Sequence, residues 1–287
     1  MKKNAICAPS RIYDSYPGGH FSVSEMVDYM SQMGFDGIDM SFENIKRFDD
    51  ALMCVLYSAA NRASKCNLDI PMCHLPFYMP NPDSDTLMER FADELRQGID
   101  AAAFMKIKLA VTHPIAYHSQ WHNYDEWIKK NTEFLSPIIE YANKKNVKIC
   151  IENMAGRPDT EHDHLYGSRA VEISILAEQF DSGLCWDFGH ANLCGLDISE
   201  EFLHLGKRLE CVHIHDNDGR KDLHLLPFYG NIDWRQAVNC LRSVGYDGCL
   251  DLEVKSSELP QDREVRRDFG RKALNAGLRL TDMLNKD

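Results

Sequence analysis

Along this chain, short apolar runs alternate with stretches whose apolar residues recur every three or four positions. The runs fall near Asn4–Ala8, Gly37–Phe42, Leu68–Leu75, Ile107–His113, Val147–Glu152, Leu184–Asp187, Cys211–His215 and Cys249–Val254, and each has the length of a buried strand. Between them the spacing predicts helices over Ser24 to Met30, begun by a serine cap, and over Asp85 to Met105, Asp125 to Lys145, Arg169 to Phe180 and Trp234 to Val244, the last capped by Asp233. Met33-Gly34-Phe35-Asp36-Gly37 and Val244-Gly245-Tyr246-Asp247-Gly248 both read as helix, glycine, strand. Eight strand–helix units in succession predict an α/β fold, a single-domain (β/α)8 TIM barrel over residues 1–287. Two connections, Pro114 to Tyr124 and Met154 to Gly167, are long for a barrel and follow the fourth and fifth strands. They are expected over the barrel mouth, where long loops are usually functional.

Four of the runs end on chemistry: Val147-Lys148-Ile149-Cys150-Ile151-Glu152-Asn153, Leu184-Cys185-Trp186-Asp187-Phe188-Gly189-His190, Cys211-Val212-His213-Ile214-His215-Asp216 and Cys249-Leu250-Asp251-Leu252-Glu253. A buried strand does not finish on an acid or an imidazole at no cost. Barrel active sites gather at the C-terminal strand ends, so Glu152, Asp187, His213 and Glu253 are expected on one rim. Three carboxylates and an imidazole suit a divalent ion of the Zn, Mn, Co or Mg kind. His215 lies two residues after His213 and points the same way along a strand. His213, the deeper of the two, is the preferred ligand, with His215 and Asp216 supporting it. His74, His113, His190, Asp222 and His224 also follow strands. A lone histidine there is usually a hydrogen-bonding residue, but their number makes ligation the better reading.

Composition changes this picture little. The net charge of −12 argues against a partner that is nucleic acid or anionic membrane. The start, Met1-Lys2-Lys3-Asn4-Ala5-Ile6-Cys7, has no long apolar run behind its lysines, and no run is long enough to span a bilayer, so a soluble cytoplasmic protein is expected. The ten cysteines form no C-x-x-C pair and read as small core residues in a reducing compartment. Exposed faces of the outer helices leave room for a homo-oligomer.

The motifs Ile151-Glu152-Asn153, Asp187-Phe188-Gly189-His190, Val212-His213-Ile214-His215-Asp216-Asn217-Asp218-Gly219, Asp222-Leu223-His224-Leu225, Gly230-Asn231-Ile232-Asp233-Trp234 and Leu252-Glu253 together resemble the xylose isomerase-like barrel superfamily. It includes sugar phosphate isomerases/epimerases, ketose 3-epimerases and endonuclease IV. In the epimerase branch, residues matching Glu152, Asp187, His213 and Glu253 bind one metal, and the two glutamates also move protons. The resemblance thus implies a metal-dependent isomerase/epimerase acting on a small sugar or sugar phosphate. His190, His215, Arg220 and Lys221 would orient hydroxyls or a phosphate, with Lys255 a weaker candidate. In the endonuclease IV branch, nine ligands bind three zinc ions, and the matching positions are His74, His113, Glu152, Asp187, His190, His213, Asp222, His224 and Glu253. The alternative implied is a multi-zinc phosphodiester hydrolase, so one to three ions per chain are expected. Two departures stand out. Phe228-Tyr229-Gly230-Asn231 replaces a usual Gly-Glu-Gly loop, with an expected effect on the pocket wall. His213-Ile214-His215-Asp216 replaces the nuclease's His-Leu-Asn-Asp. Pro76-Phe77-Tyr78-Met79-Pro80 and Tyr117-His118-Ser119-Gln120-Trp121 suggest walls for a small organic ligand rather than a nucleic-acid groove. Non-catalytic binding is a third reading, disfavoured because both glutamates are present.

Overall fold

Residues 2–11, 22–119, 122–156, 164–255 and 262–286 are described by the computed structural model. Eight parallel strands close into one barrel in chain order: β1 Ile6–Pro9, β2 Gly37–Ser41, β3 Asp69–His74, β4 Leu109–Thr112, β5 Lys148–Glu152, β6 Gly183–Asp187, β7 Leu209–His213 and β8 Leu250–Asp251. β1 pairs with both β2 and β8, so the sheet has no edge. Around it lie α1 Val23–Met33, α2 Asp50–Lys65, α3 Asp85–Phe104, α4 Tyr124–Lys144, α5 Ala170–Phe180, a short α6 Phe188–Leu193, α7 Ile198–Leu205, α8 Trp234–Ser243 and α9 Arg263–Leu284. Among the described residues, no helix is long and apolar enough to cross a membrane.

The helix boundaries follow local chemistry. α1 starts at Val23 with Ser22 as its cap, not Ser24, because only Ser22 has a glutamate three residues on. The Ser22 hydroxyl accepts from the Glu25 N–H, and the Glu25 carboxylate accepts from the Ser22 N–H. The helix stops at Gly34, at φ +97°, where a side chain would be strained. Asp233 caps α8 as expected, accepting from the N–H groups of Arg235 and Gln236.

Two strands depart from the sequence pattern where the site begins. β7 ends at His213, so His215 lies beyond it: the chain leaves β8 and pairs Asp216 with Leu225 of the returning loop. β8 stops at Asp251, because the N–H groups of Glu253 and Val254 turn back onto the carbonyls of Asp251 and Leu252. Glu253 therefore hangs free of the ladder above the barrel.

The inside of the barrel explains how the ligating residues converge. Ala5, Cys7, Met72, Val111, Cys150, Cys185, Cys211 and Cys249 pack together as a dry internal layer, separate from the larger core between strands and helices. Side chains alternate with a period of two along a strand. Two positions above Met72, Val111, Cys150, Cys185 and Cys211 stand His74, His113, Glu152, Asp187 and His213. The cysteines are the small, apolar floor of a polar site, and all ten in the chain are free thiols.

The two long connections do meet over the mouth. His118 bridges Leu165, the Ser119 N–H donates to His164 O, and the Tyr166 N–H donates to Tyr117 O. Gln120 and Trp121, proposed as wall residues, lie outside the described residues, as do 157–163 of the second connection.

Candidate metal centre

Glu152 sits at the centre of the rim and is fully buried. Its two oxygens face different partners. Oε1 is 3.0 Å from His213 Nδ1, which is 3.5 Å from Glu253 Oε2. Oε2 is 3.3 Å from His74 Nε2 and 3.3 Å from His113 Nε2, and those two nitrogens are 3.3 Å from each other. Donors about 2.0–2.1 Å from a tetrahedral ion stand about 3.3–3.4 Å apart. The His74–His113–Glu152 triangle has that edge on all three sides. Glu152, Asp187, His213 and Glu253 form a second cluster whose ligand atoms all lie within 4.8 Å of one another. Glu152 Oε2 and Asp187 Oδ2 are buried without a hydrogen-bond partner, which suits carboxylates built to meet a cation. These clusters fit one or more divalent ions.

The surrounding bonds aim the ligands. The Nδ1–H groups of His74, His190 and His224 donate to the carbonyls of Leu75, Asn153 and Glu253, leaving each Nε2 turned to the site. Asn153 clamps the ends of β5 and β6: its amide donates to Asp187 O and its oxygen accepts from the Asp187 N–H. Asp187 Oδ1 also accepts from the His190 N–H at 2.6 Å and so starts α6. Asp216 takes no part in these clusters. Its carboxylate accepts from the N–H groups of Asn217, Phe228 and Ile232 and from the Trp234 indole, fixing the loop after β7.

Burial and charge pull these groups in opposite directions. Burial alone would raise Glu152, but the charge of His213 and the hydrogen bonds from His213 and His74 outweigh it and hold the carboxyl well below the usual range. Asp187 and Asp222 are lowered in the same way by their neighbouring imidazoles. Burial disfavours the imidazolium of His74, yet Glu152 and Glu43 lift it to about 9. Burial is likewise overcome at His215, which Asp187 raises to about 9. His113 keeps the opposite balance: burial, with His74 and His190 nearby, drives it down to about 3, so it is a neutral donor.

Above the clusters lies a cavity of about 150 Å³ lined by Glu43, His74, Phe77, Met79, His113, Glu152, Met154, Ala155, His190, Asp222, His224, Glu253 and Lys255. Phe77 packs its ring 4.2 Å from His113. Two larger grooves, of about 840 and 660 Å³, run along α8, α9 and α7 and hold none of the metal clusters. The Phe228–Asn231 loop borders the first of these grooves rather than the site cavity, so its departure from the superfamily pattern leaves the described pocket wall untouched. There Gly230 is required, since a Cβ would meet Asn217 O and Asp216 Oδ1 at 2.2 Å.

The structure brings together His74, His113, Glu152, Asp187, His190, His213, His215, Asp222, His224 and Glu253. It does not bring in Arg220 and Lys221. Both are exposed, in a turn where Asp218 Oδ1 accepts from their backbone N–H groups. Lys255 is the cation on the cavity wall, 3.6 Å from Asp222. Sequence reasoning missed Glu43, which Arg11 and His74 hold ionised, at about 2, against its burial. It also missed Asp39 and Asp251, buried inside the barrel with oxygens that have no partner. Burial pushes Asp39 up to about 7 and raises Asp251 well above the usual carboxylate range. The period-two rule would have found all three: Asp39 and Glu43 share the inward parity of β2, and Asp251 that of Glu253.

Residues 27–273 match the model of the xylose isomerase-like TIM barrel family. The chain belongs to that family. An uncharacterized protein of Methanocaldococcus jannaschii is 29% identical over 205 residues, 68% of each chain. Fructoselysine 3-epimerase of Escherichia coli O157:H7 is 24% identical over 139 residues, 47% of this chain and 48% of the enzyme. Among solved structures, a D-tagatose 3-epimerase-like protein superposes with a TM-score of 0.74 at 22% identity, over 98% of this chain and 97% of that one. D-Psicose 3-epimerase, solved in the presence of D-fructose, gives 0.75 at 16% identity, over 98% and 100%. At these identities the likeness is one of fold.

Proposed function

We propose that this protein is a metal-dependent sugar or sugar-phosphate isomerase/epimerase that moves a proton at the carbon beside a carbonyl. The carrying observation is that Glu152 and Glu253 both line one small cavity and both approach the same imidazole nitrogen, at 3.0 and 3.5 Å, from β5 and from beyond β8. A divalent Zn, Mn, Co or Mg ion held by Glu152, Asp187, His213 and Glu253 would polarise the substrate carbonyl and make the neighbouring C–H acidic. One glutamate takes that proton and the other returns it. His190 and Lys255 orient hydroxyls or a phosphate, Phe77 and Met79 exclude water, and Arg220 and Lys221 lie outside the cavity. The fructoselysine 3-epimerase relatives support a sugar substrate. The free cysteines support a cytoplasmic setting.

A specific observation favours a second reading, a multi-zinc hydrolase. Glu152 turns one oxygen to each of two clusters, and a carboxylate shared that way is not free as a base. The deciding experiment is solvent deuterium uptake into candidate ketoses and ketose phosphates by the metal-loaded protein. Uptake that falls by about 10²–10⁴-fold in Glu253→Gln, with metal retained, is the expected result. No uptake with any sugar, together with cleavage of a phosphodiester, would replace the isomerase reading with the hydrolase.

A further inference from the structure

Beyond β7, His215 is the most completely enclosed imidazole of the site whose ring nitrogens have no hydrogen-bond partner: the residue is 0% exposed and neither Nδ1 nor Nε2 makes a bond. Yet Nε2 lies 3.1 Å from Asp187 Oδ1 and 3.7 Å from Asp222 Oδ1. The first contact is close enough for a hydrogen bond but off the line that one needs. Lone pairs that converge on a common ion behave this way, because the ion sits beside the N···O line rather than on it. The two distances bracket the edge of about 3.3–3.4 Å that zinc ligands keep between them. His190 supplies a third donor, and Asp187, His190 and His215 place ligand atoms within 4.8 Å of one another.

The chain also makes room for this ring at some expense in local freedom. A Cβ on residue 189 would meet His215 Cε1 at 1.9 Å, so only glycine there lets the imidazole reach Asp187. His224 then stacks on its other face, with centroids 3.9 Å apart and planes 14° apart. The two histidines differ in one telling respect. His224 Nε2 makes a 2.9 Å hydrogen bond with Asp222 Oδ2, whereas neither ring nitrogen of His215 makes one.

We infer that His215 is a metal ligand: with Asp187, His190 and Asp222 it forms an outer position for a zinc-like divalent ion, while His224 positions Asp222 and the His215 ring. Asp187 Oδ1 would then face this outer ion, leaving Oδ2, which has no hydrogen-bond partner, for a second one. This goes beyond the proposed reaction and does not depend on it, since ions are counted without turnover.

The test compares the full-length wild type with His215→Gln and His224→Gln. Each is loaded with Zn²⁺, dialysed, checked for fold by circular dichroism, and assayed for ions per chain by mass spectrometry. His215→Gln is expected to hold one ion fewer than wild type, and His224→Gln the full number. A single ion per chain in the wild type, or an undiminished count in His215→Gln, overturns the assignment. Loss in both variants keeps His215 as a ligand and overturns only the positioning role of His224. Should His215→Gln fail to fold, zinc anomalous scattering from wild-type crystals decides. A peak about 2.1 Å from His215 Nε2 is expected, and a loaded crystal without one rules the position out.

Discussion

Metal binding at the His74–His113–Glu152 position should depend steeply on pH between 7 and 9, and His74 sets the size of the effect there. In the ion-free protein its imidazolium is buried against Glu152 and held at about 9, against an ordinary value of 6.5. A ligand must shed its proton before it coordinates. At pH 7 that removal costs about 2.7 kcal/mol, at about 1.36 kcal/mol per pH unit. The ion held by His74, His113 and Glu152 should therefore bind about 100-fold more tightly at pH 9 than at pH 7, and no tighter above that. His113 adds nothing to the slope, because at about 3 it is already neutral. Glu152 and Asp187 are lowered, so they stay ionised across the window.

The stability of the ion-free protein should move the other way. A histidine raised on folding stabilises fully below its unfolded value and loses that contribution as pH rises through its folded one. The melting temperature without metal should thus fall between about pH 6.5 and 9, while the increment produced by zinc grows. Isothermal titration in two buffers of different ionisation enthalpy counts the protons released, and scanning fluorimetry follows the two melting curves. An affinity that is flat from pH 7 to 9 with no proton release would falsify the assignment of a proton at His74. A His74→Gln protein that kept the full slope would show that the proton sits elsewhere.

Two further outcomes test the surroundings of the centre. Asp216→Asn sets an amide N–H₂ against donors that the carboxylate now accepts, and should destabilise by about 2–4 kcal/mol, lowering the melting temperature by roughly 5–10 °C in calorimetry. An unchanged melting temperature would mean that the loop after β7 is held by other contacts. Lys255→Met should raise KM several-fold for phosphorylated sugars, with kcat little altered and neutral sugars unaffected. Equal effects on both substrate types would remove Lys255 from phosphate recognition.

How much of this was legible beforehand depended on periodicity. All eight strands announce themselves as short apolar runs, and in a barrel the acids and imidazoles that close some of them must face the mouth. Glu152, Asp187 and His213 were readable for that reason. α9 was not among the helices read from the pattern. Its buried face mixes Gly270, Ala273, Ala276 and Gly277, small enough to let it lie close on β1, with Arg266, Leu274, Leu280 and Leu284, so large apolar residues are few along its stripe. Glu43 and Asp39 were hidden by a different physics. A single acid inside β2, as Asp39 is, or in the turn just past it, as Glu43 is, looks like a solvent-facing position until closure of the sheet turns that parity inward. The exclusion of Arg220 and Lys221 was also beyond the sequence, since nearness along the chain to Asp222 says nothing about which way a turn projects.

The split carboxylates tie metal number to stereochemistry. With one ion on Glu152, Asp187, His213 and Glu253, the second oxygen of Glu152 remains available. Two bases then flank the cavity, one to remove a proton and one to return it from the other side, which is what inversion at carbon needs. With a second ion on the His74–His113–Glu152 triangle, both oxygens of Glu152 are engaged. Of the two proton-handling candidates, Glu253 is then the more accessible, being 14% exposed against 1% for Glu152. One mobile base on one face can shuttle a proton between adjacent carbons or activate a water, but cannot by itself invert a centre. On the proposed reading, occupancy of the His74–His113 position would select between epimerisation and chemistry that uses a single base.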